Sequence, residues 1–231
     1  MAGPIGIVAC SAEGAALCYR TICAEGAARL GRPHAHPEVC MHTPSFAEYV
    51  DRLERADWKG VGELMLASAH TLARAGASFL ICPDNTVHQA LPLIEARSPL
   101  PWLHIAEVVA QQAVARGFRR VGITGTRWLV ESRVYPEKLE ARGVEWVVPE
   151  PRARDELQRI IMTELVPGVL EPASVASLQR IVGRLADAGC DAVVLGCTEL
   201  PLALSDASSP LPTLDSTRLL ARAALERSLR E

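Results

Sequence analysis

Hydrophobic positions in this chain fall into short continuous runs separated by longer segments with helical spacing. Runs at 4–10, 37–43, 78–82, 120–124, 144–148 and 191–195, with a shorter one near 212–214, predict strands. Most are apolar at consecutive rather than alternate positions, the mark of strands buried on both faces of a parallel sheet. Helical patterns occupy 13–30, 59–75, 86–96, 104–116, 152–164, 171–188 and 215–230, Ala-rich and several of them followed by Gly. Alternation of the two predicts an α/β fold with parallel sheets. Proline, serine and aspartate punctuate 98–103 and 205–212, which predicts crossovers there. The expected division is a first domain of residues 1–100 plus 210–231, its last helix returning onto the first half, and a second domain of residues 101–209.

One strand-and-loop pattern occurs twice. Ala75-Gly76 leads through an apolar run to Cys82-Pro83-Asp84-Asn85-Thr86, and Ala188-Gly189 leads through another to Gly196-Cys197-Thr198-Glu199. The eighth residue after Gly76 is Asp84, and the eighth after Gly189 is Cys197. Ile5-Gly6-Ile7-Val8 likewise parallels Val121-Gly122-Ile123-Thr124. Any α/β chain repeats βα units, but generic strands do not keep both the Ala-Gly lead-in and the polar tip at equal spacing. The pattern predicts two pseudo-symmetric halves.

Composition narrows the function. The 231 residues include 49% hydrophobic side chains, enough for a sizeable core. With 24 basic and 27 acidic side chains the net charge is −3, and no basic block points to nucleic acid. No apolar run approaches the ~20 residues that cross a bilayer, and no basic start followed by an apolar stretch indicates secretion. The seven cysteines form no C-x-x-C pair, so reduced thiols in a cytoplasm are expected. No His, Cys and carboxylate cluster has metal-ligand spacing.

In open parallel sheets, ligands bind beyond the carboxyl ends of the strands. Cys10-Ser11, Asp84-Asn85-Thr86, Thr124, Thr126 and Cys197-Thr198-Glu199 all fall at such ends, ahead of predicted helices whose free N–H groups suit a carboxylate. Asp84 and Cys197 are the candidate acid/base pair, and the others are candidate substrate-binding residues. Each has a plainer reading. Asp84 serves equally well as a helix cap. Asn85 and Thr86 suit turns, His88 and His104 suit structural hydrogen bonds, and Glu199 suits the first turn of a helix. Cys82 precedes Asp84 by two residues, about 6–7 Å back along the strand, and reads as buried rather than catalytic.

These tips resemble the aspartate/glutamate racemase superfamily of cofactor-independent racemases. The likeness runs nearly the whole chain. It includes His36-Pro37-Glu38, Asn85-Thr86-Val87-His88, Pro101-Trp102-Leu103-His104-Ile105, Gly125-Thr126, Glu164-Leu165-Val166-Pro167-Gly168, Gly196-Cys197-Thr198-Glu199-Leu200-Pro201 and Asp215-Ser216-Thr217. The resemblance implies two pseudo-symmetric α/β domains with the active site in the cleft between them, no cofactor, and deprotonation of carbon next to a carboxylate. It also implies a homodimer, as do Ala- and Leu-rich helices left to cover sheets in a small chain.

Three departures bear on the substrate. Asp84 stands where the family's first box has a cysteine. No Arg occurs in Thr43-Pro44-Ser45-Phe46-Ala47-Glu48-Tyr49, where members acting on acidic substrates carry one. Pro167 stands where a Lys is common. The grip on a side-chain carboxylate is therefore missing, which argues against aspartate and glutamate. The expected function is a pyridoxal-phosphate-independent racemase or epimerase of an amino acid or related carboxylate. The alternatives are a lyase or isomerase on the same scaffold, as in arylmalonate decarboxylase and maleate isomerase, or a ligand-binding homologue without turnover.

Overall fold

The computed structural model describes residues 3–230 and divides into two compact units. The first holds residues up to Val108 together with Thr217 onward; the second is Val109–Ser216.

In the first unit, β1 (Ile5–Val8) leads through α1 (Ala12–Leu30) to β2 (Val39–His42). The chain then forms α2 (Phe46–Glu54), α3 (Trp58–Arg74), β3 (Phe79–Ile81), a 3-10 turn (Thr86–Ala90), α4 (Leu91–Ile94) and β4 (Trp102–Leu103) before entering α5 (Ile105–Ala115). The second unit runs through β5 (Arg120–Thr124), α6 (Arg127–Val130), α7 (Val134–Glu140), β6 (Glu145–Val147), α8 (Pro151–Ile160), a π-helical turn (Ile161–Leu165), α9 (Pro172–Asp187), β7 (Ala192–Leu195), α10 (Leu200–Ala203) and β8 (Thr213–Asp215). Helix α11 (Ser216–Leu229) closes the chain.

Both sheets are four-stranded, in the orders β2-β1-β3-β4 and β6-β5-β7-β8, and every pairing is parallel. All residues of β1, β3 and β7 are buried, as consecutive apolar runs predict. In the first unit Ile5, Ile7, Phe79 and Ile81 form one core with Leu220, Ala221 and Ala224 of α11, so the terminal helix packs on the first sheet. In the second, Val193 and Leu195 pack with Leu157, Ile181 and Leu185 of α8 and α9. A Cβ on Gly122 would stand 2.7 Å from Leu185 Cδ1, so glycine lets α9 lie close on β5.

The unit boundaries differ from the sequence expectation of 100/101 and 209/210. The segment 98–103 is not only a crossover. Its Trp102 and Leu103 pair with Leu80 and Ile81 and add a fourth strand to the first sheet, which moves the boundary into α5. Pairing of Val193, Val194 and Leu195 with Thr213, Leu214 and Asp215 keeps β8 with the second unit.

The duplication extends to main-chain hydrogen bonds. Gly76 and Gly189 both adopt left-handed backbone, with φ of 94° and 84°, which glycine tolerates best. Around them the bonds match one for one. Ala75 N to Thr71 O (3.0 Å) answers Ala188 N to Arg184 O (3.0 Å). Ala77 N to Leu72 O (3.0 Å) answers Cys190 N to Leu185 O (3.0 Å). At the same spacing further on stand Asp84 and Cys197. Both tips lead to a Leu-Pro-Leu turn, Leu91-Pro92-Leu93 in α4 and Leu200-Pro201-Leu202 in α10. Among the described residues no helix is long and apolar enough to cross a membrane.

Candidate active site

The first tip follows β3. Its Asp84 is half-buried, and Oδ1 accepts the backbone N–H groups of Thr86 (3.0 Å) and Val87 (3.3 Å). The carboxylate thus caps the 3-10 turn, as its plainer reading expects. His88, 1% exposed, places Nδ1 2.7 Å from Asp84 O, and its Nε2 accepts the N–H of Ile105 at 3.4 Å. The His88 and His104 rings meet edge to face, with centroids 4.6 Å apart, and His104 Nδ1 accepts from Ala106 N at the start of α5.

Cys82 is fully buried. Burial first, and then the charge of Asp84, push its thiol well above the ordinary cysteine range, so it stays protonated and a poor nucleophile. Tyr49 lies in α2. Its ring is fully buried, and its hydroxyl lies near Ser68 without a hydrogen bond of good geometry. Ser68 Oγ instead donates to Leu64 O and meets His42 Nδ1 at 3.0 Å. Burial, and after it the neighbouring Cys82, Cys10 and Asp84, hold Tyr49 neutral. The pattern around Tyr49 carried no signal for this, because it depends on how α2 packs. Cys10 and Ser11 follow the adjacent strand β1 and lead into α1. Cys10 is 4% exposed, and Ser11 Oγ caps α1 by accepting Gly14 N at 3.3 Å. Asn85 and Thr86 are buried beside Asp84. Since β1 pairs with β3, the first unit gathers Cys10, Ser11, Asp84, Asn85 and Thr86 at one sheet end.

The second tip follows β7. Gly196 N donates to Thr124 O at 2.9 Å, and a Cβ on Gly196 would lie only 2.5 Å from that oxygen. Glycine is therefore required where β5 and β7 converge ahead of Cys197. Cys197 is 8% exposed, and its Sγ donates to Glu199 Oε2 at 2.9 Å. Thr198 Oγ1 donates to the same oxygen at 2.7 Å. Glu199, 4% exposed, turns back toward the thiol although it also opens α10. Its first-turn position was legible in sequence, but its contact with the thiol was not.

Thr124 and Thr126 have structural engagements. The Thr124 hydroxyl donates to Val194 O at 2.7 Å, which ties β5 to β7. Thr126 Oγ1 caps α6 by accepting Leu129 N at 3.4 Å. The second unit gathers Thr124, Thr126, Cys197, Thr198 and Glu199 at one sheet end. A separate cavity of about 230 Å3, lined by Val147, Val148, Ile181 and Leu185 among others, contains none of the expected site residues.

A profile of the Asp/Glu/hydantoin racemase family matches residues 7–224. The chain belongs to this family. The broad specificity amino-acid racemase RacX of Bacillus subtilis is 22% identical over 193 residues, which cover 82% of this chain and 81% of RacX. The crystal structure of a Yersinia pestis protein proposed to be an Asp/Glu racemase superposes with a TM-score of 0.89 at 30% identity, covering 98% and 99% of the two chains. An aspartate racemase homologue from Pyrococcus horikoshii gives 0.84 at 29% identity, with both chains covered in full. Family membership and the two parallel four-stranded sheets identify a two-domain α/β racemase fold.

Proposed function

We propose that this racemase-family chain is a cofactor-independent amino-acid racemase or epimerase in which Asp84 and Cys197 are the two acid/base groups at one α-carbon. The observation that carries this reading is the equivalence of the two tips. They follow equivalent strands of a duplicated sheet, at the same spacing from matching left-handed glycines, and each ends in a group that exchanges protons.

The resting forms follow from chemistry. Reference values of ~3.9 for Asp and ~8.5 for Cys favour an ionised Asp84 and a protonated Cys197. Asp84 then takes the α-proton from one face while Cys197 delivers its proton to the other. That turnover leaves protonated Asp84 and a Cys197 thiolate, a form higher by about 6 kcal/mol for unperturbed groups. The thiolate is the stronger base and serves the opposite enantiomer. In this reading Asp84 releases its proton to solvent, and Glu199, in contact with Sγ, relays a solvent proton back to the thiolate, which resets the pair. Cys10, Ser11, Asn85, Thr86, Thr126 and Thr198 supply hydrogen-bond partners for the substrate carboxylate and amine.

The absence of the usual Arg and Lys favours substrates without a side-chain carboxylate. RacX, whose name records broad specificity, is consistent with that choice. The protein is further proposed to work in a cytoplasm as a homodimer; exposed Leu93 and Leu202 are apolar surface suited to pairing. Light scattering tests the dimer: a mass near one 24.9 kDa chain rejects it. Chiral chromatography of a panel of single-enantiomer amino acids, without pyridoxal phosphate, tests the activity. Inversion of at least one uncharged amino acid is expected. Loss of carbon dioxide or alkene isomerisation would instead favour a lyase or isomerase, and stabilisation by a ligand without turnover a binding protein.

A further inference from the structure

This inference rests on the proposed racemase reading and concerns a residue with no acid/base role in it. His88 is buried behind the first tip. Its Nδ1 lies 2.7 Å from Asp84 O. A carbonyl only accepts, so Nδ1 carries the proton. Its Nε2 faces the N–H of Ile105 at 3.4 Å, and an N–H only donates, so Nε2 keeps its lone pair. These two partners define a neutral ring in the Nδ1–H tautomer. A second proton would set Nε2–H against the Ile105 N–H. The ring therefore bridges the residue that carries the carboxylate and the first residue of α5, and it meets the His104 ring edge to face.

The same turn is held elsewhere. His88 N donates to Asn85 O at 3.3 Å, and Asp84 Oδ1 is fixed by two amides of the turn. The main-chain end of Asp84 is thus fixed by His88, and its side-chain end by Thr86 and Val87. A base must stand within a fraction of an ångström of its working position, because a shift of about 1 Å costs on the order of 100-fold in rate.

We propose that His88 is the positioning residue for Asp84, locking the tip against α5 through a neutral ring held between two main-chain groups. It touches neither substrate nor reacting proton in this role. Its loss lowers kcat in both directions of the inversion, because the equilibrium constant ties the two kcat/KM values together, with little change in KM.

The test compares three variants by kcat and KM for each enantiomer of an inverted amino acid, together with melting temperature. Asparagine places an amide N–H where Nδ1 stands, and glutamine places its amide near Nε2. His88→Ala and His88→Gln are expected to lose about 10- to 100-fold in kcat, whereas His88→Asn recovers most of it. Nitrogen-15 NMR of the wild-type protein is expected to show a protonated Nδ1 and an unprotonated Nε2. Equal losses in the Asn and Gln variants, losses that follow melting temperature alone, or a protonated Nε2 would each overturn the role. A wild-type enzyme that turns over, with kcat indifferent to His88→Ala, removes the role but leaves the racemase reading intact. A wild-type protein that inverts no amino acid overturns that reading, and the role with it.

Discussion

Cys197 Sγ donates to Glu199 Oε2 at 2.9 Å, and the receiving carboxylate is buried. Thr198 donates to the same oxygen, so Glu199 is held against the thiol by its own neighbour. A carboxylate in that position can take the thiol proton and return it. Glu199→Gln keeps an oxygen able to accept from Sγ but cannot take a proton. It is expected to lower kcat by roughly 100-fold or more, the scale of a lost general acid/base, with little effect on melting temperature. Wild-type kcat in steady-state assays of the variant would remove Glu199 from proton transfer.

Cys82 and Asp84 of the first tip are expected to separate cleanly. Cys82 is fully buried with its thiol held protonated, so Cys82→Ala is expected to cost about 1 kcal/mol in urea unfolding and leave kcat nearly unchanged. Asp84→Asn preserves shape but cannot take up a proton, so it is expected to abolish inversion. Asp84→Cys equalises the two groups and is expected to retain or raise activity. The reverse outcome, activity lost with Cys82 and kept with Asp84→Asn, would make Cys82 the partner thiol.

Tyr49 carries a buried hydroxyl with no hydrogen bond of good geometry. An unsatisfied buried group costs on the order of 1–3 kcal/mol. Tyr49→Phe is therefore expected to raise stability by about 1 kcal/mol, or roughly 2–4 °C in melting temperature for a chain of this size. A fall of similar size in calorimetry would show that the hydroxyl is satisfied in solution.

Gly196 is fixed by a backbone oxygen that cannot yield. With its Cβ 2.5 Å from Thr124 O and 2.6 Å from Leu129 Cδ2, Gly196→Ala is expected to destabilise by about 1–3 kcal/mol and to displace Cys197 enough to lower kcat. Chemical denaturation and turnover measured on the same sample check both parts. An unchanged midpoint with unchanged kcat would contradict the close approach of β5 and β7.

Most strands were legible because buried parallel strands read as continuous apolar runs, and both tips were legible because their spacing repeats. The elements that escaped are short or interrupted. Trp102–Leu103 follows Pro101 and is only two residues long, too brief to show a period. Helix α2 starts at Phe46 after Thr-Pro-Ser, and Ser45 gives it no side-chain cap. Helix α7 carries Pro136 inside its first turn and so reads as loop. In the site, sequence spacing placed Asp84 and Cys197 at strand ends, but the direction of Glu199 and the burial of Tyr49 depend on tertiary packing that spacing does not encode. Nor does spacing show that the hydroxyl of Thr124 donates to Val194 O and ties β5 to β7.

In the proposed mechanism Asp84 and Cys197 each exchange the α-proton of one enantiomer. The direct measurement is exchange of that proton for solvent deuterium, followed separately for each pure enantiomer with wild-type protein, Asp84→Asn and Cys197→Ser. Wild-type protein is expected to incorporate deuterium with inversion from both enantiomers. Neither variant should invert, and any exchange that survives should be confined to opposite enantiomers in the two variants. Full inversion by Asp84→Asn, or surviving exchange of the same enantiomer in both variants, would contradict the account.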